Sequence, residues 1–145
     1  MQLNTYLHFN GNCEEAFKFY EKTLRGKIEA ILTFEGTPNA QHVPPEWRKK
    51  VMHARLTADD QALMGTDVPP TAPGGGYQKP AGFAVSFMTK DPAEADRVFA
   101  ALAENGRVNM PIQETFWAAR FGMCVDRFGI PWMVNCERAA ASASH

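Results

Sequence analysis

The feature of this sequence that most constrains its fold is an order of elements, strand, helix and three strands, that occurs twice. In the first half, the alternating run from Leu3 to Phe9 predicts a strand, and Asn12 with Glu15 predicts a capped helix start. In the second half, a strand from Gly82 to Thr89 precedes Asp91-Pro92, where proline suits the first helical position. We therefore predict two modules of related fold.

The remaining strands follow from apolar and β-branched runs that lie between turn residues. We predict that Gly26 and Gly106 end the two helices. The strands predicted after the first helix are Lys27–Phe34, Val51–Thr57 and Ala62–Thr66, and those after the second are Arg107–Met110, Phe116–Val125 and Ile130–Cys136. The last two form an antiparallel hairpin, because Asp126–Gly129 is a short turn that ends in glycine.

Two stretches rich in proline and glycine interrupt the pattern. The stretch from Gly36 to Arg48 predicts a loop, since its prolines exclude regular structure. The stretch from Asp67 to Ala81 predicts a linker near the middle of the chain. We therefore place the first module at residues 1–67, the linker at 68–81, the second module at 82–137 and an Ala/Ser tail at 138–145, all within one structural domain.

The composition excludes several functional classes. The formal net charge is -1 and no long basic cluster occurs, so we expect no nucleic-acid partner. No apolar run approaches the length of about eighteen residues that a membrane span needs, so we expect no membrane partner. The N-terminus lacks the features of a signal peptide, and three cysteines without metal-type spacing suit a reducing, cytoplasmic location. Cys13 lies at a predicted helix start, where thiol pKa values can fall, but it has no adjacent base.

The hairpin region carries the strongest cluster of candidate ligand-binding residues. Arg120 lies in a predicted strand, so it either faces solvent or points into a cavity, because buried charges need partners. Glu114 and Arg120 either pair with each other, within the chain or across a dimer, or line a cleft, where Arg120 would hold an anionic group. Trp117 and Trp132 either pack in the core or stack on a flat ligand.

Histidines provide the candidates for proton transfer. His53 lies in the predicted third strand, where it is either half exposed or faces a cleft and binds ligand or transfers a proton. His8 and His42 have weaker claims. His8 lies on the strand face opposite Leu7 and Phe9, and His42 lies in the proline-rich loop.

Residues 1–137 resemble the vicinal-oxygen-chelate superfamily of glyoxalase I, extradiol dioxygenases and bleomycin-resistance proteins, and within it the PhnB-like branch. The segments that carry the resemblance are Leu7–Gly11, Glu15–Tyr20, Met52–Ala54, Glu94–Asp96 and Pro111–Gly129. The resemblance implies an α+β fold in which tandem β-α-β-β-β modules form a curved mixed sheet that encloses a cleft, with the helices outside. It also implies a homodimer.

The resemblance further implies a divalent metal, held by His or Glu from the first and fourth strands of each half. Carried onto this sequence, those four positions are Asn4, Gly65, Ala84 and Met133. None is a histidine or a carboxylate, and methionine binds hard divalent ions poorly. We therefore predict no metal and no other cofactor, with a nonstandard site from His53 and Glu114 left open.

Two functions from different classes follow. The first is a metal-free binding module that holds a small, largely apolar or aromatic molecule in its cleft. Its candidate ligand-binding residues are His53, Glu114, Trp117, Arg120 and Trp132. The alternative is an isomerase, lyase or dioxygenase-like enzyme, with a metal at shifted positions or with His53 and Glu114 as acid and base. A third reading is a dimer whose cleft has lost its ligand.

Overall fold

The computed structural model describes residues 1–138, which fall into two compact units. The first unit is Met1–Lys79 and the second begins at Pro80. That boundary lies inside the segment predicted as the linker. Apart from Arg138, the predicted tail lies outside the described residues. No helix among the described residues is long and apolar enough to cross a membrane.

The first unit is a four-stranded mixed sheet with one α-helix packed on it. Its sheet order is β1-β4-β3-β2, in which β1 runs parallel to β4 and the other pairs are antiparallel. The elements are β1 (Thr5–Phe9), α1 (Cys13–Leu24), β2 (Lys27–Thr33), β3 (Val51–Ala58) and β4 (Gln61–Asp67). Two short 3₁₀ turns, Pro38–His42 and Pro45–Trp47, lie in the proline-rich loop between β2 and β3.

The second unit repeats this topology. Its sheet order is β5-β8-β7-β6, with β5 parallel to β8. The elements are β5 (Val85–Thr89), α2 (Pro92–Ala103), β6 (Arg107–Gln113), β7 (Ala118–Val125) and β8 (Pro131–Glu137). The predicted α+β class, the repeat and the final hairpin are confirmed. In that hairpin, Gly129 closes the turn at a φ of 89°.

The two helices begin in different ways. The prediction for α2 is confirmed, because the Asp91 side chain accepts a hydrogen bond from Ala93 N at 3.0 Å. For α1 the predicted start is confirmed, since Asn12 is the N-cap residue, but the Asn12 side chain makes no capping hydrogen bond. Instead Asp67, at the end of β4, accepts hydrogen bonds through Oδ1 from Gly11 N and Cys13 N, each at 2.9 Å. A buried carboxylate distant in sequence thus replaces the local cap.

The predicted role of Gly26 and Gly106 is also corrected. The helices end earlier, and Arg25 and Asn105 adopt the left-handed conformation, with φ of 54° and 59°. The glycines that follow are required by space rather than by their own φ. A Cβ on Gly26 would lie 2.6 Å from the Thr57 carbonyl oxygen, and one on Gly106 would overlap the backbone of β7.

One face of each sheet packs against the helix of its own unit. In the first sheet Gly65 lies beneath Phe17, so a Cβ there would lie 2.7 Å from the ring, and Gly122 has the same relation to Phe99. We call the opposite face of each sheet its open face, because side chains alternate along a strand. The open face of the first sheet carries Tyr6, His8, His53, Arg55, Met64 and Thr66.

Candidate functional site in the first unit

A tyrosine–histidine pair lies on the open face of the first sheet. The hydroxyl of Tyr6 is 3.0 Å from Nδ1 of His53, and the Tyr6 ring meets the His8 ring edge to face, with centroids 6.1 Å apart. Burial, with a smaller contribution from Cys13, raises the pKa of Tyr6, so the phenol keeps its proton at neutral pH. It can then donate that proton to Nδ1, which leaves Nε2 of a neutral His53 as the N–H of the ring.

A pocket of about 350 Å³ lies where β1 and β4 end, beside this pair. Its apolar wall comes from Phe34, Val43 and Val68, with Pro69 and Pro73 of the segment that follows β4. Its polar side chains are those of His8, Asn39, His42, Thr66, Asp67 and Thr71. An apolar concavity with a few polar side chains is the usual form of a small-molecule site.

The pocket is held by bonds between segments that are far apart in sequence. Thr71 Oγ1 donates to the His42 carbonyl oxygen at 3.0 Å, which joins the second proline-rich segment to the first. Val68 N donates to the Phe9 carbonyl oxygen at 2.8 Å. Asp67 is a buried residue of the pocket lining, and its Oδ2 accepts a hydrogen bond from Val51 N at 2.9 Å. The loop conformation therefore depends on the ends of β1, β3 and β4.

The structure changes the ranking of the histidines. His53 lies on the open face, bonded to Tyr6. His8 and His42, which had weaker claims from sequence, both line the pocket. Alternation along β1 separates His8 from the core and so provides a sequence signal for it. The same alternation places Tyr6 on the face of His8, whereas no local pattern indicates that the loop returns His42 to the end of the sheet.

In the second unit, the charged candidates have structural partners. Glu114 pairs with Arg138, with Oε2 and Nη1 3.1 Å apart. Arg120 pairs with Asp96 on α2, with Nε and Oδ1 2.8 Å apart. The alternative in which Glu114 and Arg120 pair within the chain is therefore wrong. The register of Arg120 with the buried Cys136 shows that Arg120 lies on the helix side of its sheet. A ligand role for Glu114 or Arg120 stays a prediction.

The two tryptophan candidates differ in exposure. Trp132 is 2% exposed, and its Nε1 donates to Asp126 Oδ2 at 2.9 Å. Stacking of Trp132 on a ligand stays a prediction that this burial does not support. Trp117 is 50% exposed, and its ring lies 5.4 Å from the Phe121 ring. Of the two, Trp117 alone presents a ring face that a ligand can reach.

The cysteines are buried free thiols. Burial, followed by the charges of Asp67 and Glu14, raises the pKa of Cys13 well above its ordinary value. The depression that a helix start can cause is therefore outweighed, and Cys13 stays a neutral thiol. Burial and Asp126 raise the pKa of Cys124 to about 11. These thiols act as core residues.

The residues at the predicted metal positions do not fit a divalent ion. Gly65 lies on the helix side of β4, so its neighbours Met64 and Thr66 occupy the open face there. Asn4 and Ala84 precede their strands, and Met133 offers a thioether. Among residues 1–138, no group of three or more His, Cys, Asp or Glu is arranged to hold a metal ion. The nonstandard pair of His53 and Glu114 stays a prediction.

Comparisons with known proteins agree with this architecture. The family model of the Glyoxalase/Bleomycin resistance protein/Dioxygenase superfamily matches residues 2–134. Protein YjdN of Escherichia coli (strain K12) is 33% identical over 143 residues, which cover 93% of this chain and 95% of that protein. The crystal structure of protein PA1353 from Pseudomonas aeruginosa has a TM-score of 0.86 and 48% identity, with coverage of 96% and 99%. The PhnB protein of Bacillus cereus has a TM-score of 0.74 and 26% identity, with coverage of 94% and 99%.

Proposed function

We propose that this protein, which belongs to the Glyoxalase/Bleomycin resistance protein/Dioxygenase superfamily, binds a small, largely apolar organic molecule. We place the ligand in the pocket of the first unit, and we propose that binding requires no divalent metal. The observation that carries this proposal is the pocket itself, about 350 Å³ in volume with His8 and His42 in a mostly apolar lining.

The lining defines the class of ligand. Phe34, Val43 and Val68 favour an apolar or aromatic body, since burial of such a body removes apolar surface from water. The imidazoles of His8 and His42 and the amide of Asn39 are polar groups that can fix its orientation. A flat molecule with one or two polar substituents meets both requirements.

The first experiment measures the divalent-metal content of tag-free protein purified without chelator. We expect no stoichiometric metal and no uptake of zinc, nickel or manganese. A fragment screen by protein-observed NMR then identifies ligands whose signals shift around His8 and His42. Stoichiometric metal that ligand binding requires would contradict the proposal.

A matched pair of variants tests the location. Ala72→Phe fills the pocket with a ring, because Ala72 belongs to its lining. Ala100→Phe places the same ring on an exposed position of α2 in the second unit. We expect the first variant to abolish binding of the screened ligand and the second to leave it unchanged. Equal affinity of both variants for the ligand would refute the assignment of the pocket.

A second candidate function is acid–base catalysis on a small oxygenated substrate, and the Tyr6–His53 hydrogen bond favours it. A phenol that is hydrogen-bonded to an imidazole is an arrangement that can relay a proton to or from a substrate. With a ligand from the screen, NMR would follow either exchange of its acidic C–H for deuterium or product formation. Turnover that His53→Gln abolishes, with binding retained, would favour the enzyme over the binding module.

We also propose that the protein is a cytoplasmic homodimer. The exposed aromatic ring of Phe116, 90% exposed and in edge-to-face contact with Trp117, offers apolar surface for a partner subunit. The free thiols suit a reducing compartment. Sedimentation equilibrium measures the oligomeric state, and Phe116→Ser should weaken the dimer if this ring lies in the interface.

A further inference from the structure

We propose that Met52 is a modification site, where hydrogen peroxide oxidises the thioether to a sulfoxide whose oxygen is then bound by Asn39. The proposal concerns the loop between β2 and β3 and does not depend on which molecule the pocket binds. It starts from one short contact, in which Asn39 Nδ2 donates to Met52 Sδ at 3.2 Å. Sulfur is larger than oxygen and a weaker acceptor, yet this distance lies within the range that is normal for oxygen.

A β-bulge directs the Met52 side chain toward this donor. The register of β2 and β3 pairs Thr33 with Val51 and Leu32 with His53, so Met52 is the extra residue between two pairs. A bulge of this kind re-aims a side chain that would otherwise follow the alternation of the strand. Met52 is only partly buried there, so its sulfur is within reach of a molecule as small as hydrogen peroxide.

A second polar group lies near the same sulfur. Thr37 Oγ1 is 3.8 Å from Met52 Sδ and 2.7 Å from the Phe34 carbonyl oxygen. A hydroxyl has one proton, and the shorter bond takes it, so Asn39 is the donor to the sulfur in the reduced protein. The two lone pairs of the sulfur are therefore not equivalent, because an amide N–H faces only one of them.

The reaction transfers one oxygen atom from peroxide to sulfur. A lone pair of Met52 Sδ attacks one peroxide oxygen, the O–O bond breaks and an S–O bond forms. The proton of the transferred oxygen passes to the other oxygen, which leaves as water, so sulfur loses two electrons and peroxide gains them. The product is a polar and chiral sulfoxide, which sulfoxide reductases convert back to the thioether. Its oxygen is a stronger acceptor than the sulfur, so the Asn39 N–H bonds to it.

Oxidation at this position changes the wall of the pocket. Asn39 and His42 belong to one 3₁₀ turn, Pro38–His42, and both line the pocket. The added oxygen of Met52 needs space next to the Asn39 amide, so the amide moves and the turn carries His42 with it. Thr71 bonds to the His42 carbonyl oxygen and so joins this movement to the second proline-rich segment.

The stereochemistry of the sulfoxide tests the role of Asn39. Protein treated with hydrogen peroxide is quenched and digested, and each sulfoxide peptide is reduced by an enzyme specific for one epimer. We expect one epimer of Met52 sulfoxide in about fivefold excess, roughly the ratio that one hydrogen bond contributes. Met88 on β5 is 55% exposed and should give the two epimers in similar amounts. Asn39→Leu, at an exposed position, should lower the Met52 ratio to that of Met88.

NMR of the whole protein tests the effect on the pocket. Peroxide should shift the side-chain amide signal of Asn39 and the backbone amide signal of His42. Met52→Leu keeps the apolar volume and removes the sulfur, so it should abolish these shifts. Met88→Leu is the matched control and should preserve them, because Met88 lies in the second unit.

Three results would overturn the proposal. One is a Met52 thioether that survives conditions in which Met88 is fully oxidised. Another is an equal mixture of epimers at Met52, or an excess that Asn39→Leu leaves unchanged. The third is that the signals of Asn39 and His42 stay in place once Met52 is oxidised. None of these measurements uses a ligand, so their outcome is independent of whether the pocket binds the molecule proposed above.

Discussion

The two units share a topology, but each is stabilised internally by a buried carboxylate at a different place in that topology. In the first unit, Asp67 at the end of β4 accepts backbone hydrogen bonds from Gly11, Cys13 and Val51. In the second unit, the corresponding end of β8 carries Cys136, since Phe9 is registered with Asp67 and Thr89 with Cys136.

The carboxylate of the second unit lies in the β7–β8 turn instead. Asp126 accepts hydrogen bonds from Phe128 N at 2.8 Å, Ile130 N at 3.0 Å and Trp132 Nε1 at 2.9 Å. Asp67 therefore joins segments that are distant in sequence, whereas Asp126 organises a single hairpin. The same topology can thus be stabilised by a buried carboxylate that bonds distant segments or by one that bonds neighbouring residues, because either accepts the hydrogen bonds of the buried N–H groups.

The open faces differ as well. The first carries Tyr6, His8 and His53, which can donate and accept protons. The second carries Met88, Met123, Met133 and Phe121 with Ser86 and Asn135. Because the helix sides have similar packing requirements while the open faces do not, the repeat preserves the core and leaves the open faces free to differ in chemistry.

The largest effect should come from Asp67→Ala. It leaves two buried amides and one partly buried amide without an acceptor, and we expect a loss of about 4 kcal/mol in the free energy of unfolding. Urea denaturation measures it. Asp67→Asn keeps an oxygen acceptor and should lose less. A loss below about 1 kcal/mol for Asp67→Ala would mean that water replaces the carboxylate and that the long-range anchor is not important.

Asp126→Ala should destabilise the protein by about 3 kcal/mol, because two amides and an indole N–H lose their acceptor. Trp132→Phe removes one of these hydrogen bonds and keeps the ring in the core. Hydrogen exchange should show the loss of protection in β7 and β8 and unchanged protection in β1 to β4. Equal loss of protection in both units would contradict the local role of Asp126.

In each unit a phenylalanine ring of the helix packs on a glycine of the sheet, so matching substitutions of the two glycines test how similar the two cores are. Gly65→Ala and Gly122→Ala each place a Cβ 2.7 Å from a phenylalanine ring carbon, Phe17 and Phe99 respectively. Each should cost about 2 kcal/mol through overpacking. Thermal denaturation of both variants measures the two effects side by side. Gly36→Ala is no suitable control, because its φ of 81° adds strain of its own.

The smallest predicted effect is a loss of folding stability at alkaline pH. The folded pKa of Cys124 is raised from 9.0 to about 11, so the folded state binds more protons than the unfolded state between these values. The stabilisation is fully present below pH 9 and is lost as the pH rises through about 11. Urea denaturation at pH 8 and pH 10 should show a smaller difference for Cys124→Ala than for the wild type. An identical pH dependence would show that this thiol titrates normally.

Much of the fold can be predicted from the sequence because its signals are local. The alternation in β1, the Asp91 cap of α2 and the glycine of the β7–β8 turn each act within a few residues of where they occur. The predicted ends of the two helices were less accurate. Arg25 and Asn105, rather than the glycines after them, adopt the left-handed conformation, and the glycines serve close contacts that only the folded chain creates.

The candidate site could be predicted only in part. His53 was identified as a strand histidine, and the structure adds its partner Tyr6. Arg120 was identified as a charge in need of a partner, but the partner is Asp96 rather than Glu114. Glu114 instead binds Arg138 near the end of the described chain. Local patterns detect that a charge needs compensation, yet they do not identify the residue that compensates it.

The sequence by itself determined the order of strands and helices, the repeat and the faces of most strands, since backbone geometry imposes periods of about 2 and 3.6 residues on side-chain patterns. Tertiary structure alone decided that Asp67 would hold the start of α1, 54 residues before it, and that His8 and His42 would line one pocket. The physical reason is that β1 and β4 are neighbours only after the sheet has formed. Groups that meet across such pairings leave no local periodicity by which they could be recognised.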